Sequence, residues 1–450
     1  MVRLRGTQRV NERGHLEVGG VDTCELAQRF GTPLYVMDEA LIRQRMREYV
    51  KEFGRRWPRG VNVAFAGKAF LCTAMCKIAE QEGLWLDLSS GGELYTAIKA
   101  GFPMEKVYLH GNCKTPEELE MALESGVGRV VVDNFDELEM IGRMASERGV
   151  KVDIMLRVTP GVEAHTHEYI LTGHLDTKFG FQIYAGQAME AIRRALEGEH
   201  LHLVGLHCHI GSQLLSLGAF EAAVKAMVGL MRSAKEEFGW EAEELNLGGG
   251  LGIPYLSSED APSVADLAEV ITGALERELS RNGLKRPVLA LEPGRSIVGE
   301  AGLTLYRVWA VKTIPNVRTY VMVDGGMSDN PRVQLYGAKY EAIVANKASK
   351  EPVRAVAIAG KHCERDILIE EVLLPEVEPG DIIAVPCTGA YHYSMSSNYN
   401  RYPRPAVVLV FKGRAEVIVE RETYEDLVAK DRLPERLREE AAGEVRGCVL

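Results

Sequence analysis

Five apolar runs open at nearly equal intervals along the first third of the chain, near Val61, Leu84, Lys106, Arg129 and Lys151, spaced 23, 22, 23 and 22 residues apart. Each has the length and punctuation of a strand, and the segments between them carry helical periodicity, so the predicted unit is a strand followed by a helix. Thr115, Pro116 and Glu118, for example, stand at N-cap, first-turn and capping-box positions before Leu119 to Leu123. Three further runs, LHLVGLHCH from Leu201, ELNLGGG from Glu244 and PVLALEPG from Pro287, are separated by amphipathic stretches over 219–238 and 263–282 and bring the strands to eight.

Eight parallel strands alternating with helices close most simply as a (β/α)₈ TIM barrel, because right-handed crossovers cover the outer face and side chains fill the inner one. An open doubly wound sheet is the alternative. Asp38 offers an N-cap to a helix through Leu41, Met46, Val50 and Phe53 to Gly54, ahead of the first strand. No helix is expected after Glu292 to Gly294, so this leading helix would fill the eighth place, and the barrel is bounded at 34–296. Beyond it, LTLYRVWAVKTI, TYVMVDGG, RAVAIAG, DIIAVP and AVVLVF read as an all-β sandwich or barrel over 297–430. Residues 1–33 are too few to bury a core and are assigned to the same domain, which becomes discontinuous. Residues 431–450 form a charged terminal segment with no functional argument attached.

Composition narrows the class. At 450 residues the chain suits two or three domains, a barrel of about 250 residues being permitted as one. No apolar run reaches the roughly 18 residues of a membrane-spanning helix, so no membrane partner is expected. The opening MVRLRGTQRVNERG lacks the apolar stretch of a signal peptide, which predicts a cytoplasmic protein. Eight scattered cysteines predict reduced thiols and no disulfide framework; Cys72 and Cys76 share a helix face but lack a second pair at zinc-finger spacing. A net charge of −11 without a basic stripe argues against nucleic acid.

In such a barrel the C-terminal strand ends form the active face. The residues there are Lys68, Asp87, His110, Arg157, His209 with Ser212, the run Gly248, Gly249 and Gly250, and Glu292, Pro293, Gly294 and Arg295. Lys68, at the tip of VNVAFAGK, is an amine able to form a Schiff base. The glycine run lets backbone N–H groups approach an anion, and the loops after strands 7 and 8 are where barrels commonly bind phosphate. Together they point to pyridoxal 5'-phosphate more than to a metal. Other readings stay open at this point: GGG also makes a tight turn, and His207 and His209 could join His110 and Asp87 as ligands of a metallohydrolase.

The runs FAGKAF, LDLSSGGELYTAIKAGFP, HGN, PGVEAHTHEYILTGHLDTKFGF, HCHIGSQ, NLGGGLGIPY, EPGRSIVG, VDGGMSDN, TGAYHYSM and NYNRYPRPA, in this order, resemble the diaminopimelate decarboxylase family of barrel-type, alanine-racemase-like pyridoxal phosphate enzymes. The resemblance spans about residue 15 to about residue 428. It implies that Lys68 carries the cofactor, that His209 stacks on its ring, and that Ser212, Gly248, Gly249, Gly250 and Arg295 with Pro293 and Gly294 hold its phosphate. Glu292 would face the pyridine nitrogen and keep it protonated, while Asp87 and Arg157 complete the cofactor set. In KHCER, Cys363 resembles the family's proton donor, and Arg332, Tyr336, Glu364 and Tyr391, with Arg295, resemble its ligands for substrate and cofactor. The Cys–Glu pair would enter the site of a second subunit, giving a homodimer with shared active sites. No metal is implied. The implied reaction converts meso-2,6-diaminopimelate to L-lysine and CO₂, the last step of lysine biosynthesis.

Two departures stand out. The family usually reads Cys-Glu-Ser-Gly-Asp where this chain has Cys363-Glu364-Arg365-Asp366-Ile367, one residue shorter and without the serine and glycine. Arg365 is expected to approach the mouth of the site and stand in for the serine. FAGKAF also lacks the asparagine that many relatives carry two residues after the lysine. Among rivals, a lysine, ornithine or arginine decarboxylase wants an acidic residue near the distal amine where this chain has Arg332. A racemase would set an arginine against the pyridine nitrogen in place of Glu292. A non-catalytic relative that binds pyridoxal phosphate or a partner enzyme would have no use for Lys68, Cys363 and Glu364 together.

Overall fold

The computed structural model describes residues 2–161 and 177–438. Residues 162–176, which hold most of PGVEAHTHEYILTGHLDTKFGF, and residues 439–450 of the charged terminal segment lie outside them. The expected strands are β1 (Val61–Ala66), β2 (Trp85–Leu88), β3 (Val107–Leu109), β4 (Arg129–Val132), β5 (Val152–Thr159), β6 (Leu201–His207), β7 (Glu244–Asn246) and β8 (Val288–Leu291). Neighbours pair in parallel, and Leu289 of β8 pairs with Val61 of β1, which closes the barrel.

Alternation along the strands separates two cores. Ala64, Tyr108, Val131, Met155 and Ala290 form a small cluster of their own, whereas Val63, Phe65, Leu86, Val130, Val132, Ile154 and Leu156 join the large core shared with the helices. That split is the period-two geometry of a closed sheet, one face turned to the axis and one to the helical ring. Tyr108, within the barrel, is fully partnered: it donates its hydroxyl to Glu244 and accepts from Asn62 Nδ2 at 3.1 Å. The helix Glu39–Gly54 takes the eighth place, packing on the helix Val264–Arg281, with the Tyr49 hydroxyl 2.7 Å from Ser296 Oγ. Where no helix was expected after β8, the chain makes a single helical turn, Arg295–Val298, too short to leave a periodic signal.

The boundary expected at residue 34 falls too early. Leu34–Asp38 is a strand of the second sheet, antiparallel to Gly302–Ile314 and parallel to Ala406–Phe411. An apolar run directly before a helix reads locally as the opening of a strand–helix unit, and only the long-range pairing reveals its sheet. The 13-residue strand Gly302–Ile314 is central, pairing with Leu34–Asp38 and Ile382–Pro386 near its start and with Arg318–Val323 along its second half. Leu16, Val18 and Leu26 pack with Leu303, Leu305 and Val408, so the N-terminal segment shares this domain's core.

Candidate active site

Past Ala66 the chain tightens into the short turn Gly67–Ala69, which lifts Lys68 off the tip of β1. Its Nζ lies 3.5 Å from Asp87 Oδ2 at the end of β2. Burial opposes the ammonium charge, but Asp87, Tyr391 and Glu292 outweigh it and hold Lys68 above the ordinary lysine range. The loop after β8 is fixed to the same turn. Pro293 accepts the Ala66 N–H at 3.1 Å, and a β-carbon on Gly294 would press on those of Ala66 and Ala69 at 3.0 Å.

Glu292, just past β8, is buried and held by three side chains. Its Oε1 accepts from Asn246 Nδ2 at 2.7 Å and lies 2.7 Å from His110 Nε2, while Oε2 lies 3.1 Å from His207 Nε2. Burial alone would neutralise the carboxyl, yet the two imidazoles carry it well below the usual carboxylate range. His207 is pushed down to about 4 by burial, with Glu292 opposing. All three histidines line the cavity but differ in partner: His110 and His207 serve Glu292, bringing three ligand atoms within 4.8 Å of one another, while His209 Nδ1 meets the Gly249 N–H.

His209 is kept neutral by burial and by the nearby cations Lys68 and Arg157. Gly249 donates its N–H to His209 Nδ1 at 3.3 Å, which places the ring proton on Nε2. A β-carbon on Gly249 would stand 2.1 Å from the Glu292 carbonyl oxygen, and on Gly250, at φ +117, one would stand 2.6 Å from the Gly211 carbonyl oxygen. Gly248, at φ +68, is equally crowded by Cys208 and His209. The three glycines therefore let the ends of β6, β7 and β8 close into a floor of packed backbone in which a β-carbon would clash.

Arg295 donates from Nη2 to Ser212 Oγ at 2.9 Å and from Nη1 to the Tyr255 hydroxyl. Arg332, opening the short helix Arg332–Tyr336, lies 4.9 Å from the Tyr336 ring centroid. Both guanidiniums flank Tyr391, at 4.7 and 5.6 Å from its ring centroid, and Tyr391 itself holds a left-handed φ of 63°. Both arginines are buried, each Nε lacks a hydrogen-bond partner, and no carboxylate among the described residues lies within ion-pair distance of either. Arg157 stands 3.7 Å from Asp133 and 4.2 Å from the Phe179 ring centroid.

These groups meet in a cavity of about 370 Å³, whose walls include Lys68, Arg157, His209, Ser212, Glu292, Arg295, Arg332, Tyr336 and Tyr391. Asp87 and the three glycines do not line it themselves; Asp87 backs Lys68 at 3.5 Å and Gly249 backs His209 at 3.3 Å. Ser89, Asn112, Phe179 and Met395 also line the cavity; each lies in one of the runs that carry the resemblance but was given no role, although Ser89 directly follows β2 and Asn112 lies in the loop after β3. Cys363 and Glu364 do not line it; both are exposed on the loop between Arg354–Ala359 and Ile367–Leu374. Arg365, expected at the mouth, is 78% exposed and pairs with Glu370 of its own chain at 2.9 Å. The shortened loop keeps its anchor: Asp366 is buried and accepts the N–H groups of Met327 at 2.9 Å and His362 at 3.2 Å.

The fit to a cofactor can be judged from these contacts. Two buried cations with no anionic partner among the described residues, set beside a glycine run, suit a phosphate and a carboxylate, and an ionised buried glutamate suits a protonated ring nitrogen. A closed barrel with a lysine at the same mouth is the arrangement of the barrel-type pyridoxal phosphate enzymes. Comparison with known proteins narrows the class: residues 39–299 match the family described as "Pyridoxal-dependent decarboxylase, pyridoxal binding domain", and the chain belongs to that family. Diaminopimelate decarboxylase of Bacillus subtilis (strain 168) is 50% identical over 429 residues, covering 95% of this chain and 98% of the relative. That of Bacillus methanolicus is 51% identical over 419 residues, 93% of this chain and 97% of its own. Among solved structures, diaminopimelate decarboxylase from M. jannaschii in complex with L-lysine superposes with a TM-score of 0.90 at 39% identity, covering 96% of this chain and 99% of that one.

Proposed function

We propose that the protein decarboxylates meso-2,6-diaminopimelate to L-lysine and CO₂. The observation that carries this reading is the pair Arg295 and Arg332, two buried guanidiniums beside the Tyr391 ring that find no carboxylate within ion-pair distance among the described residues. A phosphate satisfies one and the second carboxylate of a dicarboxylic substrate the other; lysine, ornithine and arginine offer no second carboxylate. The names of the relatives point to the same substrate.

Lys68 would hold pyridoxal phosphate covalently, with Ser212, the Gly248 to Gly250 floor and Arg295 on its phosphate and His209 against its ring. Bound there, the cofactor supplies an electron-accepting ring that takes up the electrons of the bond to the departing carboxylate. Glu292, kept ionised by His110 and His207, holds a proton at the ring nitrogen and so sustains that capacity. Arg332 with Tyr336 orients the distal end of the substrate. Cys363 would supply the proton to the carbon that has lost CO₂, and the Lys68 amine would be the group that tethers the cofactor between turnovers.

Because Cys363 and Glu364 stand exposed and away from their own cavity, we assign them to the site of a second copy of the chain, making the enzyme a homodimer with shared sites. We place it in the cytoplasm, in keeping with the free state of its seven described cysteines. Among the described residues no helix is long and apolar enough to cross a membrane. The test is to give the purified protein pyridoxal phosphate and, separately, meso-diaminopimelate, L-lysine and L-ornithine, and to measure CO₂. Release from meso-diaminopimelate alone supports the reading; faster release from lysine or ornithine overturns it. For the dimer, mixing Lys68→Ala with Cys363→Ala under conditions of subunit exchange restores activity if sites are shared, and none if Cys363 serves its own Lys68.

A further inference from the structure

Four consecutive residues of the loop that carries Cys363 are each met by the turn at 399–402. The Tyr402 hydroxyl donates to the Lys361 carbonyl at 3.3 Å, and the His362 ring lies between the Tyr399 and Tyr402 rings at 6.0 and 5.0 Å. Cys363 donates its N–H to Asn400 Oδ1 at 3.1 Å, and the Tyr399 hydroxyl donates to Glu364 Oε1 at 2.6 Å. Such close matching of two segments 37 residues apart in sequence needs an unusual backbone, and the turn has one. Asn400 and Arg401 are both left-handed, at φ 53° and 56°, a region that residues other than glycine and asparagine adopt rarely. Arg401 is held in it from outside: its guanidinium donates to the Leu427 carbonyl at 2.7 Å and meets Asp431 at 3.0 Å, tying the turn to the helix Tyr424–Val428. A strained backbone persists where its surroundings over-determine it, and here it presents an amide oxygen to the residue before the acidic one.

We propose that Asn400 is a positioning residue for Cys363. Its side-chain oxygen, delivered by the left-handed turn, fixes the Cys363 backbone and through it the place of the thiol, while Asn400 itself does not line the cavity. The inference rests on the reading of Cys363 as proton donor. Asn400→Gly keeps the left-handed backbone and removes the acceptor, whereas Asn400→Asp keeps both, so the pair separates strain from hydrogen bonding.

The experiment uses the pyridoxal phosphate-loaded enzyme and two readouts. One is kcat and KM for meso-diaminopimelate; the other is iodoacetamide alkylation of Cys363, measured by mass spectrometry against exposed Cys113 in the same sample. For Asn400→Gly, kcat falls about tenfold with KM within about twofold, and the Cys363-to-Cys113 alkylation ratio changes at least about threefold. Asn400→Asp, whose added carboxylate opposes the thiolate that iodoacetamide alkylates, is read by kcat alone and stays near wild type there. Wild-type kcat and alkylation in Asn400→Gly, beside an inactive Cys363→Ala, would overturn the positioning role alone. A fully active Cys363→Ala would overturn the donor reading and this role with it.

Discussion

Gly249 and Glu292 approach so closely that no side chain fits between them: a β-carbon on Gly249 would stand 2.1 Å from the Glu292 carbonyl oxygen. The contact is backbone on one side and cannot swing away, so Gly249→Ala must move the loop after β7 or the loop after β8. The same residue donates the hydrogen bond that orients His209. Gly249→Ala should raise the Kd for pyridoxal phosphate at least about tenfold, read by titrating the cofactor's absorbance. An unchanged Kd would mean that this floor does not hold the cofactor.

Glu292→Gln preserves shape and removes charge. A hydrogen bond to a charged group is worth about 1.5–3 kcal/mol, so kcat should fall by about 10- to 100-fold while the cofactor remains bound. Steady-state kinetics and cofactor content on the same preparation check this; full kcat would exclude a role for Glu292 at the ring nitrogen.

Arg332→Lys retains a cation but loses the planar fork. It should lower kcat/KM for meso-diaminopimelate by about 10-fold or more with cofactor content unchanged. Loss of cofactor with an intact KM would instead place Arg332 on the phosphate.

Asp329 makes stability depend on pH. Burial raises its carboxyl to about 7, against the pull of the Tyr306 hydroxyl and the Gly326 N–H, with Asp366 adding to the rise. A carboxyl whose folded value exceeds its unfolded 3.8 binds its proton more tightly in the folded state, so its contribution is full below the unfolded value and is lost as pH rises through about 7. Between about pH 5 and about pH 8 the wild type should therefore lose at least about 2 °C more in Tm than Asp329→Asn, which cannot titrate. Parallel Tm profiles for the two proteins would contradict the assignment.

The barrel was legible because its signal is local and repeated. The 23- and 22-residue spacing of strands and the Thr115 capping box needed no long-range information, and the capping box forms as expected. The sheet that Leu34–Asp38 joins is not legible locally, because a strand's partners, not its own residues, decide it. At the site, the residues at strand ends emerged from position alone, but the pairing of His110 and His207 with Glu292 did not. Those contacts cross the barrel mouth between β3, β6 and β8, and the sequence spacing of two histidines fits a metal as well as a carboxylate. Arg332 and Tyr391 come from the second domain, where no repeat marks the active face, and only the resemblance pointed to them. The Arg365 contact with Glu370, five residues on and across the strand start, was equally hidden, because sequence adjacency to Glu364 says nothing about it.

On the proposed function Lys68, at the tip of β1 and 3.5 Å from Asp87, is the amine that carries the cofactor. Borohydride fixes a lysine-bound pyridoxal phosphate irreversibly, so peptide mass mapping of the reduced, loaded protein names the lysine directly. The expected result is modification of Lys68 and its absence from Lys68→Ala, which should otherwise melt like wild type. Modification of a different lysine, with Lys68 left unlabelled, would contradict the placement of the site at this end of the barrel.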